Sequence, residues 1–334
     1  MLRLTEIKLP LDHPPEAIAE AAVARLRITS NDLISCTVFR RAHDARKKSN
    51  IFLIYSLDVE VKQEAEVLAR ITKAGVKEHG LVMPTPDIDY RYVAQAPTNY
   101  TKRPLVIGAG PCGLFAALIL AQMGFRPIIL DRGKVVRERT KDTWRLWRHS
   151  ELNPESNVQY GEGGAGTFSD GKLYSQIKDP RHLGRKVLTE FVKAEAPPEI
   201  LTEAHPHIGT FRLVKMVENI RATIESLGGE YRFQSRVTDL DIDTDRDGAR
   251  RVRGVVLDNG EHIAADHVVL AIGHSSRDTF QMLHDRGVYV EAKPFSLGFR
   301  IEHPQSLIDV ARFGTFAGNE ILGAADYKLV HHAS

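Results

Sequence analysis

The first hundred residues follow two hydrophobic periodicities in turn, one typical of strands and one typical of helices. Ile18, Ala22 and Leu26 recur at four-residue spacing after two prolines, which predicts a helix. The remaining pattern predicts a second helix at residues 61–71 and strands at residues 2–9, 33–39, 51–61 and 91–94. The order strand, helix, strand, strand, helix, strand is that of a ferredoxin-like α+β domain, which we expect over residues 1–98. Proline-containing segments at residues 83–87 and 96–104 are predicted to be linker.

A different pattern begins at residue 105. An apolar strand at 105–108, a helix at 111–123 and an apolar strand at 127–130 form a βαβ unit, which indicates an α/β domain with a parallel sheet. Further elements follow, namely helices at 133–149 and 213–227 and strands at 231–240, 252–257, 262–264 and 267–272. Asp258-Asn259-Gly260 is a hairpin signal between two of these strands. Beyond Gly287 the pattern is strand-like again, most clearly at residues 295–301.

The loop between the first strand and helix of the βαβ unit has the sequence GAGPCG at residues 108–113. Each glycine has a physical task there. Gly108 permits a tight turn, Gly110 lets the backbone approach a pyrophosphate, and Gly113 lets the helix pack close to the strand. The N-terminus of the helix offers free N–H groups to phosphates. The loop therefore predicts a dinucleotide site.

The second strand of the βαβ unit ends at Asp131, about 20 residues after the glycine loop. An acid at that point accepts hydrogen bonds from a ribose 2′-hydroxyl, and it would repel a 2′-phosphate. The site is therefore predicted to take FAD or NAD and not NADP.

Composition narrows the class of protein. The 334 residues carry a formal net charge of +2 and are 43% hydrophobic, as in an ordinary globular protein. No apolar run approaches the roughly 20 residues that span a bilayer, and no secretory signal is evident. We therefore expect a cytoplasmic protein without membrane contact. The two cysteines, Cys36 and Cys112, and the histidine pairs at 205/207 and 331/332 lack metal-type spacing, so no metal site is predicted.

A basic segment between residues 40 and 48 is the strongest sign of a different function. A ferredoxin-like domain with a basic hairpin is one way to contact RNA. However, the aromatic pattern of an RNA-recognition sheet is missing, and Asp44 interrupts the run of arginines and lysines. We therefore expect a small-molecule substrate and no nucleic-acid partner, while the oligomeric state is not indicated.

Three stretches together resemble a known family. They are DARKK at residues 44–48, GEGGAGTFSDGK at 161–172 and AIGHSSRDTF at 271–280. The chain is similar to the FAD-dependent dehydrogenases of the two-dinucleotide-binding type, and most to a bacterial subgroup of uncharacterised NAD(P)/FAD-dependent oxidoreductases. The resemblance implies that a strand ending at Ala271 to Gly273 returns to the FAD sheet and that the backbone of Val237 contacts the adenine. It favours FAD over NAD.

The resemblance and the glycine loop together define the expected site. Lys172 is a candidate for stabilising negative charge on reduced flavin or on a substrate anion, and a solvated loop lysine is the equal alternative. Ser275 and Ser276 are expected to cap the helix that follows them. The expected cofactor contacts are Gly108, Gly110, Pro111, Cys112, Gly113, Asp131, Arg132, Gly163, Gly164, Val237, Ala271 and Gly273.

The expected fold is α/β, with a Rossmann-like FAD-binding domain over residues 99–284 that contains an inserted substrate domain and follows the ferredoxin-like domain. Residues 285–334 are expected to begin a substrate or interdomain region. Members of the subgroup look longer, so we expect this chain to lack a C-terminal part of the flavin pocket.

The expected function is that of an FAD-dependent oxidoreductase that transfers hydride or electrons through the flavin, with NAD(P)H as a possible electron donor and an unknown substrate. The alternative is a non-catalytic nucleotide-binding or regulatory protein whose N-terminal domain binds partners.

Overall fold

The computed structural model describes residues 1–73, 81–173, 177–294, 298 and 301–327. The chain divides into two compact units. The first consists of Met1–Asp87, Leu201–Pro206 and Pro294–Ser334, and the second of Ile88–Ile200 and His207–Lys293. The expected domain limits at residues 98 and 284 remain predictions.

The N-terminal part of the first unit is a four-stranded antiparallel sheet with two helices. Its elements are β1 (Leu2–Pro10), α1 (Ala17–Leu26), β2 (Leu33–Asp44), β3 (Phe52–Val61), α2 (Glu64–Lys73) and β4 (Val82–Pro84). The sheet order β2-β3-β1-β4 is the ferredoxin-like order predicted from the sequence. The core forms where alternate apolar residues of β1 and β3 meet the two helices, and it includes Leu4, Leu26, Leu57 and Val67.

Three predictions in this part are wrong, one of them the linker expected from residue 83, since Met83 and Pro84 belong to β4. The last strand is β4 rather than residues 91–94, because Val82–Pro84 pairs with Leu2–Leu4 and its proline lies at the end of a short edge strand, where a missing N–H is tolerated. Strand β2 continues through Arg40 and Arg41 to Asp44, opposite Phe52, so these two arginines are not in a loop.

The second unit contains a parallel sheet and a smaller antiparallel one. Its elements are β5 (Leu105–Ile107), α3 (Pro111–Gln122), β6 (Ile128–Leu130), α4 (Val136–His149), α5 (Leu183–Lys193), α6 (Thr210–Ser226), β7 (Glu230–Arg232), β8 (Val237–Thr244), β9 (Arg250–Leu257), β10 (His262–Ala264), β11 (Val268–Leu270) and α7 (Arg277–Asp285). The parallel order β11-β5-β6-β7 is Rossmann-like and confirms the predicted α/β class. The antiparallel sheet has the order β10-β9-β8 and includes the predicted hairpin.

The single strand predicted at residues 231–240 is two strands in different sheets. The chain breaks at Gln234, which has the left-handed φ of 54°, and its N–H donates to Gly133 O at 2.9 Å. Ser235 N–H donates to Asp131 O at 2.9 Å. The bend places Val237 at the start of the antiparallel sheet.

Two later segments complete the first unit. Arg41 N–H donates to Thr202 O at 2.7 Å and Ala204 N–H donates to Arg41 O at 2.8 Å, so the segment Leu201–Pro206 runs along β2. Helix α8 (Gln305–Phe313) and the residues after it place Phe313, Leu322 and Ala325 in the core. The strand predicted at 295–301 falls almost entirely outside the described residues. No helix in the described part of the chain is both long and apolar enough to cross a membrane.

Arg3 and Asp58 form a buried bidentate ion pair across β1 and β3, with both N–O distances at 2.8 Å. We expect Asp58→Ala to destabilise the first unit by about 3–5 kcal/mol, because it leaves the buried Arg3 charge without its carboxylate, with only the Phe39 ring beside it among the described residues. Chemical denaturation followed by circular dichroism measures the loss. Asp44→Ala is the control, since the Arg46 side chain with which Asp44 pairs is exposed, and an equal loss in both variants would contradict the prediction.

Candidate functional site

The first glycine loop, at residues 108–113, connects β5 to α3, and its backbone lies in close contact with neighbouring backbone atoms. Gly108 has the left-handed φ of 99°, and a Cβ atom there would lie 2.4 Å from Ala271 O. A Cβ atom on Gly113 would lie 1.8 Å from Gly108 O. Gly110 differs, because the nearest atom to a Cβ there is Gly164 Cα at 3.7 Å. Gly108 and Gly113 are therefore required by the fold, whereas Gly110 leaves space beside α3.

The second glycine loop, at residues 161–172, packs directly on the first. Gly163 N–H donates to Ala109 O at 2.8 Å. Gly164 has a φ of 63°, and a Cβ atom on it would approach Pro111 Cδ to 2.9 Å and Gly110 Cα to 3.1 Å. Peptide groups from both loops therefore form one surface at the N-terminus of α3.

Asp131 joins this surface to the end of β6. One carboxylate oxygen accepts from Ala109 N–H and the other from Gly133 N–H, each at 2.7 Å. Burial raises the pKa of Asp131, while the hydrogen bonds from the two backbone N–H groups oppose that shift. The carboxylate thus holds the first glycine loop and the turn after β6 together, and its predicted contact with a ribose hydroxyl remains a prediction.

Arg139, on α4, is a site residue that the sequence analysis missed. Among the described residues, its fully buried guanidinium donates only to backbone carbonyls: Nε to Asn157 O at 2.8 Å, Nη1 to Glu162 O at 2.6 Å, and Nη2 to Val158 O and Gly164 O at 2.8 Å. Burial lowers the pKa of Arg139 to about 10, so it is charged at neutral pH. The buried positions of α4 are mostly polar, so no apolar stripe indicated that this helix packs inward.

Glu162, inside the second glycine loop, was also missed. It is fully buried, accepts from Val136 N–H at 2.8 Å at the start of α4, and lies 2.9 Å from Arg221 Nε on α6. Burial raises the pKa of Glu162. Its position at the N-terminus of α4 favours a negative charge.

Arg132 follows Asp131 and is already engaged by protein groups. It forms ion pairs with Glu155 at 2.8 Å and with Asp278 at 2.6 Å, and its guanidinium lies 4.5 Å from the centre of the Tyr160 ring. Tyr160 in turn donates its hydroxyl hydrogen to Ser275 O at 2.8 Å. This network links the end of β6 to the segment after β11.

Several of these residues line a cavity of about 220 Å³ in the second unit. Gly113 and Gly163 do not line it. Tyr160, Ser235 and Thr279 line it without having been predicted. The predicted contacts that line it are Gly108, Gly110, Pro111, Cys112, Asp131, Arg132, Gly164, Val237, Ala271 and Gly273.

Ser276, Cys112 and Lys172 are three further residues that the sequence singled out as part of the site or its helix cap. Ser276 precedes α7, but its hydroxyl donates to Ile272 O at 3.0 Å and does not cap the helix, so the predicted cap is wrong. Cys112 is exposed, at the helix start where the loop passes the cavity. Lys172 is exposed, lies 3.7 Å from Asp170 and does not line the cavity, so its role remains a prediction.

Family comparison places this site in a known context. A family model described as pyridine nucleotide-disulphide oxidoreductase matches residues 102–290, more than half of the chain. The chain belongs to this family. A model described as FAD-dependent protein, C-terminal domain-like, matches residues 294–334, and one for a domain of unknown function matches residues 1–60. The family predicted from the sequence is confirmed.

Individual proteins show how far the similarity extends. An uncharacterized protein from Clostridium beijerinckii (strain ATCC 51743 / NCIMB 8052) is 40% identical over 332 residues, which are 99% of this chain and 60% of that protein. The chain thus spans 60% of the length of this relative. Among solved structures, Thermovibrio ammonificans THI4 is 18% identical with a TM-score of 0.39, covering 69% of this chain and 73% of that one.

A second solved structure is the 3-ketosteroid-delta4-(5alpha)-dehydrogenase from Rhodococcus jostii RHA1. It is 16% identical with a TM-score of 0.31, covering 53% of this chain and 48% of that one. Both TM-scores are low, so family membership rests on the family model.

Gly113 and Gly110, two of the three glycines of the first loop, should respond differently to a methyl group. We expect Gly113→Ala to destabilise the second unit by about 1–3 kcal/mol or more, because its Cβ would overlap Gly108 O. Gly110→Ala should change stability by less than about 1 kcal/mol, since its φ of −73° suits alanine. Both tryptophans lie on α4, so tryptophan fluorescence during denaturation reports this unit. Equal effects of the two substitutions would refute the packing argument.

Proposed function

We propose that the second unit binds the nucleotide part of FAD and that the protein is an FAD-dependent oxidoreductase. The observation that carries this proposal is the surface of peptide groups at the N-terminus of α3, where Gly110 leaves space for a phosphate to approach the backbone. The names of the matched family models support FAD and oxidoreduction.

The residues present fit a dinucleotide. The glycine loop lies at the end of β5, and Leu130, Asp131 and Val237 line the cavity next to the ends of β6 and β7, where an adenosine would lie in a Rossmann-like fold. A cavity of about 220 Å³ is below the roughly 300–1,000 Å³ of pockets that enclose a drug-sized ligand. We therefore assign it to the adenosine and diphosphate half of FAD.

Within this function, the protein supplies binding and orientation while the flavin supplies the transfer of hydride or electrons. NAD(P)H is the proposed electron donor. The chain contains two cysteines, and Cys36 and Cys112 have no C-x-x-C spacing, so the chemistry proposed here does not involve a redox disulfide within this chain. The substrate is proposed to be a small molecule, and the protein to be cytoplasmic.

The test is flavin binding by wild-type protein and by a pair of glycine variants. Wild type should bind FAD, and mass spectrometry of the released ligand should give FAD rather than NAD. Gly110→Ala should weaken FAD binding by roughly ten-fold or more, about 1.4 kcal/mol, because its methyl group takes the space of the phosphate. Fluorescence titration of FAD measures the affinity.

Gly166→Ala is the matched control, because a Cβ there meets no atom within 4 Å and Gly166 does not line the cavity. It should bind FAD like wild type. Unchanged FAD affinity in Gly110→Ala would show that the site is wrong, and release of NAD alone would show that the cofactor is wrong.

A further inference from the structure

Arg139 and the second glycine loop carry an inference that rests on the proposed function. The Arg139 guanidinium donates hydrogen bonds to four backbone carbonyls between residues 157 and 164. It donates to no side chain in the described part of the chain. A cation with no hydrogen-bonded carboxylate is unusual in a fully buried position, since buried charges are generally paired. The arrangement sets the direction of each peptide group that it holds.

The Gly164–Ala165 peptide shows what that direction achieves. A trans peptide is planar, so its C=O and N–H point in opposite directions. Gly164 O accepts from Arg139 Nη2 at 2.8 Å, and Ala165 N–H therefore points away from Arg139. Gly164 and Ala165 both line the cavity. Ala165 N–H has no acceptor among the residues that the structure describes.

A neighbouring peptide provides a comparison. Glu162 O is also held by Arg139, and the opposite N–H, that of Gly163, donates to Ala109 O at 2.8 Å. The Glu162–Gly163 peptide therefore joins the two glycine loops, whereas the Gly164–Ala165 peptide leaves an N–H donor beside the cavity. Buried or pocket-facing amides without a protein acceptor bind water or a ligand.

We propose that Arg139 is a positioning residue for the cofactor diphosphate, because it orients the Gly164–Ala165 peptide so that Ala165 N–H donates to a diphosphate oxygen. Arginine suits this positioning role because the donors of its planar guanidinium reach several carbonyls in fixed directions. A lysine at this position keeps the positive charge but has three donors on a single nitrogen.

Arg139→Lys tests the proposal, with ADP and adenosine as probes. Affinity for ADP should fall about ten-fold to a hundred-fold, the effect expected for one hydrogen bond to a charged group. Affinity for adenosine should not change, because adenosine carries no diphosphate. Arg137→Lys is the matched control, since Arg137 lies on the same helix but is exposed and pairs with Glu218. It should bind ADP like wild type.

The outcomes separate the two proposals. If wild type binds neither ADP nor FAD, the proposed function fails and this inference fails with it. If wild type binds ADP and Arg139→Lys binds it equally well, only the positioning role is refuted. A parallel loss for ADP and adenosine also refutes it, since that result indicates a purely structural role.

A second pair of variants applies if Arg139→Lys does not fold. Ala165→Pro removes the amide donor at the first residue of the 3₁₀ turn Ala165–Phe168, a helix position at which proline is common. Ala165→Ser keeps the donor. Ala165→Pro should lose ADP affinity by at least ten-fold while Ala165→Ser retains it. Wild-type ADP affinity in Ala165→Pro overturns the proposal.

Discussion

Close contact between backbone and backbone is the constraint on which the second unit depends. Helix α3 meets β5 where Gly113 touches Gly108, and β11 meets the same loop where Gly108 touches Ala271. The second glycine loop adds its own contact through Gly164. A side chain at these points would separate the elements, so the part of the cavity wall that the two glycine loops form consists of peptide groups. Such a wall has few rotamers to order when a ligand binds, and its donors are already directed.

The buried charges are arranged to complement those peptide groups. In the part of the chain that the structure describes, Asp131 accepts hydrogen bonds from backbone N–H groups and Arg139 donates to backbone carbonyls. Burial raises the pKa values of Asp131 and Glu162 and lowers that of Arg139, which shows that desolvation opposes all three charges. Because Asp131 and Arg139 bind peptide groups rather than each other, they hold the two glycine loops in one arrangement.

Local patterns predicted the elements that depend on local contacts. The βαβ unit, the hairpin at Gly260 and the first three strands of the ferredoxin-like part followed from periodicity and turn residues. The strand break at Gln234 did not, because a non-glycine residue with positive φ has no clear sequence signal. Arg139 was missed for a related reason, since its helix contains many arginines and only the tertiary structure distinguishes the buried one.

The first unit shows a different limit, because its core is assembled from distant parts of the chain. Strand β2 forms backbone hydrogen bonds with residues 202 and 204, and Phe313 and Leu322 belong to the same hydrophobic core as residues of β1 and β3. Closing such long loops costs conformational entropy before the contacts form, so these contacts are expected to be late in folding. The ferredoxin-like sheet can be predicted from its own residues. Its complete core also needs segments that lie far from it in the sequence, such as the one that contains Phe313 and Leu322. Hydrophobic periodicity is a property of one short window of sequence, so it does not connect those segments to the sheet.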